Sequence, residues 1–194
     1  MSLLPQCWRV PLGSSSPLEF KYIETLITYR RNTPDNCQPN QFAIRLADRS
    51  NLKNIFRIIR LVRWHSRLFA DARISNETAY AIKECYVRDR IENTFVVTHL
   101  SPKLHGPTTY VVGFMVVENG REGQEIGLIG VDPNWRRMGI GEALIYSLKG
   151  DVVMRTQASN VKCQQFLESL GFVEQYREDT YHSEGLYENT INRQ

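Results

Sequence analysis

Hydrophobic and polar positions along this chain follow two periods. FKYIETLITYRR (20–31) alternates in part and is rich in Tyr, Ile and Thr, which predicts a strand. FAIRL (42–46) predicts a second, shorter one. The period then changes: Leu52, Ile55, Phe56 and Ile59 share one face at helical spacing, with Ser50 as the cap and a fading end near Trp64. LVRWHSRLFADARIS reads as irregular, and a further helix is predicted over 76–89, with Ala79, Ile82 and Tyr86 as its inner stripe. Strands follow at 94–100, 108–117 and 124–131, the last two joined by the ENGRE turn (118–122) into an antiparallel hairpin. An apolar helix around Ile140, Leu144 and Leu148 comes next, then strand DVVMRTQ (151–157). A helix opening at Ser159 or Asn160 stops at Gly171, and a final strand or two cover 172–182.

This order predicts a mixed α/β fold, an α+β arrangement with a central, mostly antiparallel sheet flanked by helices. With 194 residues, 42% of them hydrophobic, the chain can bury a sizeable core. Residues 1 to about 18 hold three prolines and a Ser run and read as an extended lead-in. NTPDNCQPN (32–40) reads as a turn-rich linker. The expected division is therefore an N-terminal extension, 1–41, lending one strand to a main domain at 42–194.

Charge changes this picture little. A net charge of +3 comes mostly from dispersed Arg, which excludes a concentrated nucleic-acid face but suits small phosphorylated ligands. Cys7, Cys37, Cys85 and Cys163 lie far apart with no CxxC or His-paired spacing, so no metal site is expected. The opening residues lack the basic end and apolar run of a signal peptide, and no apolar stretch approaches the roughly 20 residues that cross a bilayer. The expectation is a cytoplasmic protein without nucleic-acid or membrane partners.

The candidate chemistry lies in VDPNWRRMGIGEAL (131–144). An apolar strand ends at Val131, two Arg follow, and Gly139 and Gly141 stand at the mouth of an apolar helix. Such a helix start offers unpaired N–H groups and a positive dipole end to an anion. Neither GxxxxGK[ST] nor GxGxxG is present, so two common phosphate loops are excluded. Downstream come a strand, Asn160, the small Cys163 and the LGF that closes the helix.

Arg136-x-x-Gly139-x-Gly141, followed by Asn160 and LGF in this order, resembles the GNAT-type N-acetyltransferase superfamily over about residues 42–182. The resemblance implies acetyl-CoA as acyl donor, its pyrophosphate held by Arg136, Arg137, Met138, Gly139, Ile140, Gly141 and Glu142. It also implies that Ile129, Gly130 and Val131 pair with the pantetheine arm like an added strand, while Asn160 hydrogen-bonds that arm, caps its helix, or does both. No metal is implied. Glu125 stands where the family often has its base. His65 is a second choice for that role because an unperturbed imidazole titrates near neutrality. Members often carry a proton-donating Tyr four residues before the LGF glycine. Here that residue is Leu167, leaving Tyr176, Tyr181, His182 or water to protonate the thiolate, with Tyr181 taken as the candidate acid. Cys163 reads as a small helix residue rather than a nucleophile.

HSRLFADARISNETAYAIKECYVRD further resembles the acceptor side of the TDP-fucosamine acetyltransferase type. That likeness implies a small amine acceptor, first an amino sugar on a nucleotide diphosphate, contacted by His65, Arg67, Asp71, Arg73 and Tyr80; it allows a homodimer. Acetylation of a protein or another small amine, and an acyl-CoA-binding module weakened in catalysis, are the rival readings. Leu167 keeps the last of these open.

Overall fold

The computed structural model describes residues 3–14, 19–33, 42–62, 64–103 and 106–188. Among these residues eight strands, β1 (Leu3–Pro11), β2 (Phe20–Thr33), β3 (Ile44–Leu46), β4 (Thr94–Lys103), β5 (Gly106–Gly120), β6 (Gly123–Val131), β7 (Gly150–Gln157) and β8 (Val173–Glu188), form one sheet. Its order is β1-β8-β2-β7-β6-β5-β4-β3. Among the described residues five helices flank it: α1 (Leu52–Leu61), α2 (Arg67–Ala70), α3 (Asn76–Asp89), α4 (Ile140–Tyr146) and α5 (Val161–Ser169). Every pairing is antiparallel except β6 with β7. The mixed, mostly antiparallel sheet read from the sequence is therefore the fold observed.

Each face of the sheet buries a separate apolar layer. Ile55, Ile58 and Ile59 of α1 and Val87 of α3 pack on Val96, Phe114, Val116 and Leu128. Ile140, Leu144 and Ile145 of α4 and Leu167 of α5 pack on Ile27, Met115 and Val152 across the other face. Burial of these helical stripes, more than helix propensity, holds helices as short as α4 in place.

The structure sharpens or corrects several local expectations. The extended lead-in is itself a strand, since β1 pairs along β8 from Leu3↔Glu188 to Pro11↔Glu178. Segment 1–41 thus contributes two strands rather than one, and β2 runs inside the sheet between β8 and β7. Asp48, not Ser50, caps the entry to α1: its carboxylate accepts from the Ser50 N–H at 2.8 Å, and Ser50 sits in the 3-10 turn Arg49–Asn51. The stretch expected to be irregular at 61–75 contains the single turn of α2, while the expected final strand or two over 172–182 is the one strand β8. Most of the 32–40 linker lies outside the described residues.

Candidate active site

One local irregularity creates the site. Val116 of β5 pairs with Leu128, but Val117 pairs with Ile126, so Gly127 is an extra residue in β6. Such a bulge bends its strand and strengthens the twist. A side chain could not be placed there, because a Cβ on Gly127 would run into the Tyr86 hydroxyl. Parallel pairing between β6 and β7 covers only Gln124↔Val152, Glu125↔Val153 and Ile126↔Met154. Past the bulge the two strands part. A cleft of about 780 Å³ opens between them, lined by Gly127–Ile129, Met154–Gln157, Arg136 and Ser159–Cys163.

The loop below the cleft is fixed from within. Asp132, buried at the end of β6, accepts from Arg57 at 2.6 Å and from the Asn134 N–H at 2.9 Å, which turns the chain into the 3-10 turn Pro133–Trp135. Arg137 and Gly139 then adopt left-handed backbone, with φ of 62° and 82°. Such a conformation is strained for Arg and easy for Gly. The Ala143 N–H is the first to bond within α4, to Gly139 O at 2.8 Å, so the amides of Ile140, Gly141 and Glu142 precede the helical ladder. Arg136, Arg137 and Met138 are exposed beside them. Asn160 stands at the cap of α5 but its side chain does not cap it; its Nδ2 instead donates to Thr156 Oγ1 at 3.2 Å, beside the cleft. Cys163 also faces the cleft, and burial pushes its thiol pKa up, which disfavours the thiolate.

A second cavity, about 510 Å³, adjoins the cleft and shares Trp64, His65, Ser66 and Ser159 with it. Tyr80 lines this cavity, and His65 sits exposed where the two spaces meet. The other expected acceptor contacts are used differently. Asp71 is buried, bonded to Arg73 at 2.6 Å and to His182 Nδ1 at 2.7 Å, while Arg67 Nη1 reaches His182 Nε2 at 3.1 Å. Arg73 also donates to Ser183 O at 2.8 Å. These charged groups clamp the 66–74 segment to β8. Of them, Arg67 lines an open pocket of about 370 Å³ on the same side.

Arg67 donates to Nε2, so His182 carries its proton on Nδ1, facing Asp71, and is neutral. Burial lowers its pKa below 6.5. The unfolded chain therefore takes up the proton more readily, and this contribution to stability is complete above about pH 6.5 and is lost as the pH falls through the lower folded value. Urea unfolding between about pH 7 and pH 5 should show a falling midpoint for the parent and a shallower fall for His182→Gln. Parallel slopes would refute the coupling.

Glu125 lies where β6 and β7 still pair and is ion-paired with Arg155. Tyr181 is buried edge-on against Tyr22, ring centroids 5.8 Å apart, and Leu167 is wholly buried in the core under α5. The sequence reading missed three groups around the cavities. Glu24 of β2 is only 8% exposed, and burial pushes its carboxyl pKa up. Lys83 of α3 lies with its Nζ 4.6 Å from the Trp64 ring centroid, and burial pushes it down to about 8. The buried hydroxyl of Ser66 has no partner among the described residues.

Comparison with known proteins agrees with this geometry. Residues 93–174 match the family model for the acetyltransferase (GNAT) domain, a span that runs from β4 through the loop and α5 into β8. No curated protein sequence matches the chain. Among solved structures, a conserved protein of unknown function from Staphylococcus epidermidis superposes with a TM-score of 0.63 at 14% identity, covering 93% of this chain and 72% of that one. A GCN5-related N-acetyltransferase from Sphaerobacter thermophilus gives 0.55 at 14% identity, with 93% and 60% covered. A GNAT-family acetyltransferase from Novosphingobium aromaticivorans gives 0.56 at 12%, with 91% and 73% covered. At these identities the likeness is one of fold, and the chain spans three fifths to three quarters of those proteins. The family match is thus confined to residues 93–174, and the sheet as a whole has the fold seen in these GNAT-family structures. Nothing in these matches singles out the TDP-fucosamine type.

Proposed function

We propose that the protein transfers an acetyl group from acetyl-CoA directly to the amine of a small acceptor. The parting of β6 from β7 above a loop of open amides carries this reading. The cleft fits the donor chemically: the amides of Ile140–Glu142, with Arg136 and Arg137, suit a pyrophosphate, and the free edge of Ile129–Val131 suits an amide-bearing arm. Asn160, free of capping, is available to the same arm. Bound acetyl-CoA supplies the activated thioester. The chain's own part is to hold that thioester against the neighbouring cavity and to exclude water, so that proximity does most of the work.

His65, at the meeting of the two spaces, is the expected acceptor of the amine proton. A thiol of ordinary pKa near 8.5 leaves tolerably without a dedicated acid. Absence of a hydroxyl at Leu167 is thus compatible with turnover.

Two measurements separate an enzyme from a binding module. Calorimetry should show coenzyme A bound by the parent and bound about 10-fold more weakly by Asn160→Ala, as loss of one hydrogen bond to a desolvated arm implies. Thiol release from acetyl-CoA should rise on adding an amine acceptor. Tight coenzyme binding with no release across amino nucleotide sugars, polyamines, arylalkylamines and peptides would favour the module.

A further inference from the structure

Glu24 presents a buried carboxylate that the fold does not neutralise. Its nearest hydrogen-bond donors are neutral, the Gln157 side chain at 3.4 Å and the Arg67 backbone amide. Among the described residues no guanidinium or ammonium closes an ion pair with it, although Arg9, Arg67 and Lys83 stand within electrostatic reach. A carboxylate taken out of water without a cation is costly, and such groups are kept where a ligand supplies the missing charge. Glu24 lines the 510 Å³ cavity, where it is the one charged side chain, His65 apart, among the described lining residues; it also borders the 370 Å³ pocket beside Arg9, Arg67 and Lys83.

The remaining walls define the body of that ligand. Phe69 and Tyr80 meet edge-on, 5.1 Å between centroids, and with Tyr22 and Trp64 they set four aromatic rings along a wall that also carries Thr25, Asn76 and Ser159. Among the described residues no Lys or Arg lines it, which favours a cationic ligand over a diphosphate. Ser66, with its unpartnered hydroxyl, borders both this cavity and the cleft. A cation held here is also within reach of the aromatic faces.

We propose that this cavity is the acceptor site and that it selects a compact primary amine with a flat apolar body, an arylalkylamine, whose ammonium is received by Glu24 of β2. The inference rests on the acetyl-CoA reading for its chemistry and replaces the nucleotide-linked amino sugar as first-choice acceptor. Glu24 acts as a specificity-determining residue supplied by the N-terminal part of the chain.

The test uses the full chain with 2-phenylethylamine, spermidine and a dTDP-linked amino sugar as acceptors. Phenylethylamine should be acetylated at the highest kcat/KM. Glu24→Gln should raise its KM about 10- to 100-fold, the range for losing one charge-assisted hydrogen bond, with a smaller change in kcat and an unaltered affinity for acetyl-CoA. Glu24→Asp should recover part of that loss, which a merely structural role would not produce. Preference for the sugar nucleotide or spermidine, or an unchanged KM in Glu24→Gln, overturns the proposal. Amine binding to the coenzyme-free protein, followed by calorimetry, keeps the two readings apart. Glu24-dependent amine binding without coenzyme binding sinks the transferase but supports the pocket; coenzyme binding and thiol release without it sink the pocket alone.

Discussion

Gly139→Asp should weaken coenzyme A binding by more than about 100-fold, because two effects add. The substitution sets a carboxylate at the mouth of α4, where the amides of Ile140–Glu142 and the dipole favour an anion. It also forces a side chain into a backbone conformation with φ of 82°. Gly139→Ala separates the two: it carries only the backbone strain, about 1–2 kcal/mol, and should retain most of the affinity. Titration calorimetry on both variants checks this. Equal affinities for Gly139→Asp and the parent would move the pyrophosphate elsewhere and take the donor assignment with it.

Asp71→Ala should cost about 3 kcal/mol of stability, the lower end of what breaking a buried ion pair usually costs. Removing the carboxylate leaves His182, fully buried, with an unsatisfied Nδ1–H and leaves Arg73 without its bidentate partner. The exposed part of the Arg73 side chain recovers some hydration, which keeps the loss from being larger. The Arg73 hydrogen bond, with His182 adding to it, holds the Asp71 carboxyl well below the usual carboxylate range. Its contribution is therefore present above about pH 4 and lost as the pH falls toward the folded value. Denaturant unfolding at neutral pH measures the effect. A loss below about 1 kcal/mol would mean that the clamp between the 66–74 segment and β8 is not what fixes that segment.

What could be read from the sequence was local. The helix expected over 76–89 is α3 to the residue, and the hairpin, the loop at 132–139 and the stop at Gly171 were all marked by short-range signals. What escaped depended on contacts far apart in the chain. Pro5 and Pro11 disguised β1, yet an edge strand tolerates proline on its unpaired side. Glu24 reads as a solvent-facing residue in an alternating strand, and only its place beyond the end of β7, under α2 and α3, makes it a buried group. Asp71 and His182 are 111 positions apart. Their attachment made Asp71 and Arg73 resemble acceptor contacts, since a charged cluster in a loop looks the same whether it awaits a ligand or a strand.

The position of β2 bears on synthesis. Thr33 pairs with Gly150 and Phe20 with Ser183, so this long strand leaves the ribosome well over a hundred residues before either neighbour exists. Its buried apolar residues, Leu26, Ile27 and Tyr29, have nothing to cover them in the meantime. Nascent chains stalled ahead of residue 150 should consequently be sticky and dependent on holding factors, with productive closure of the sheet a late, slow event.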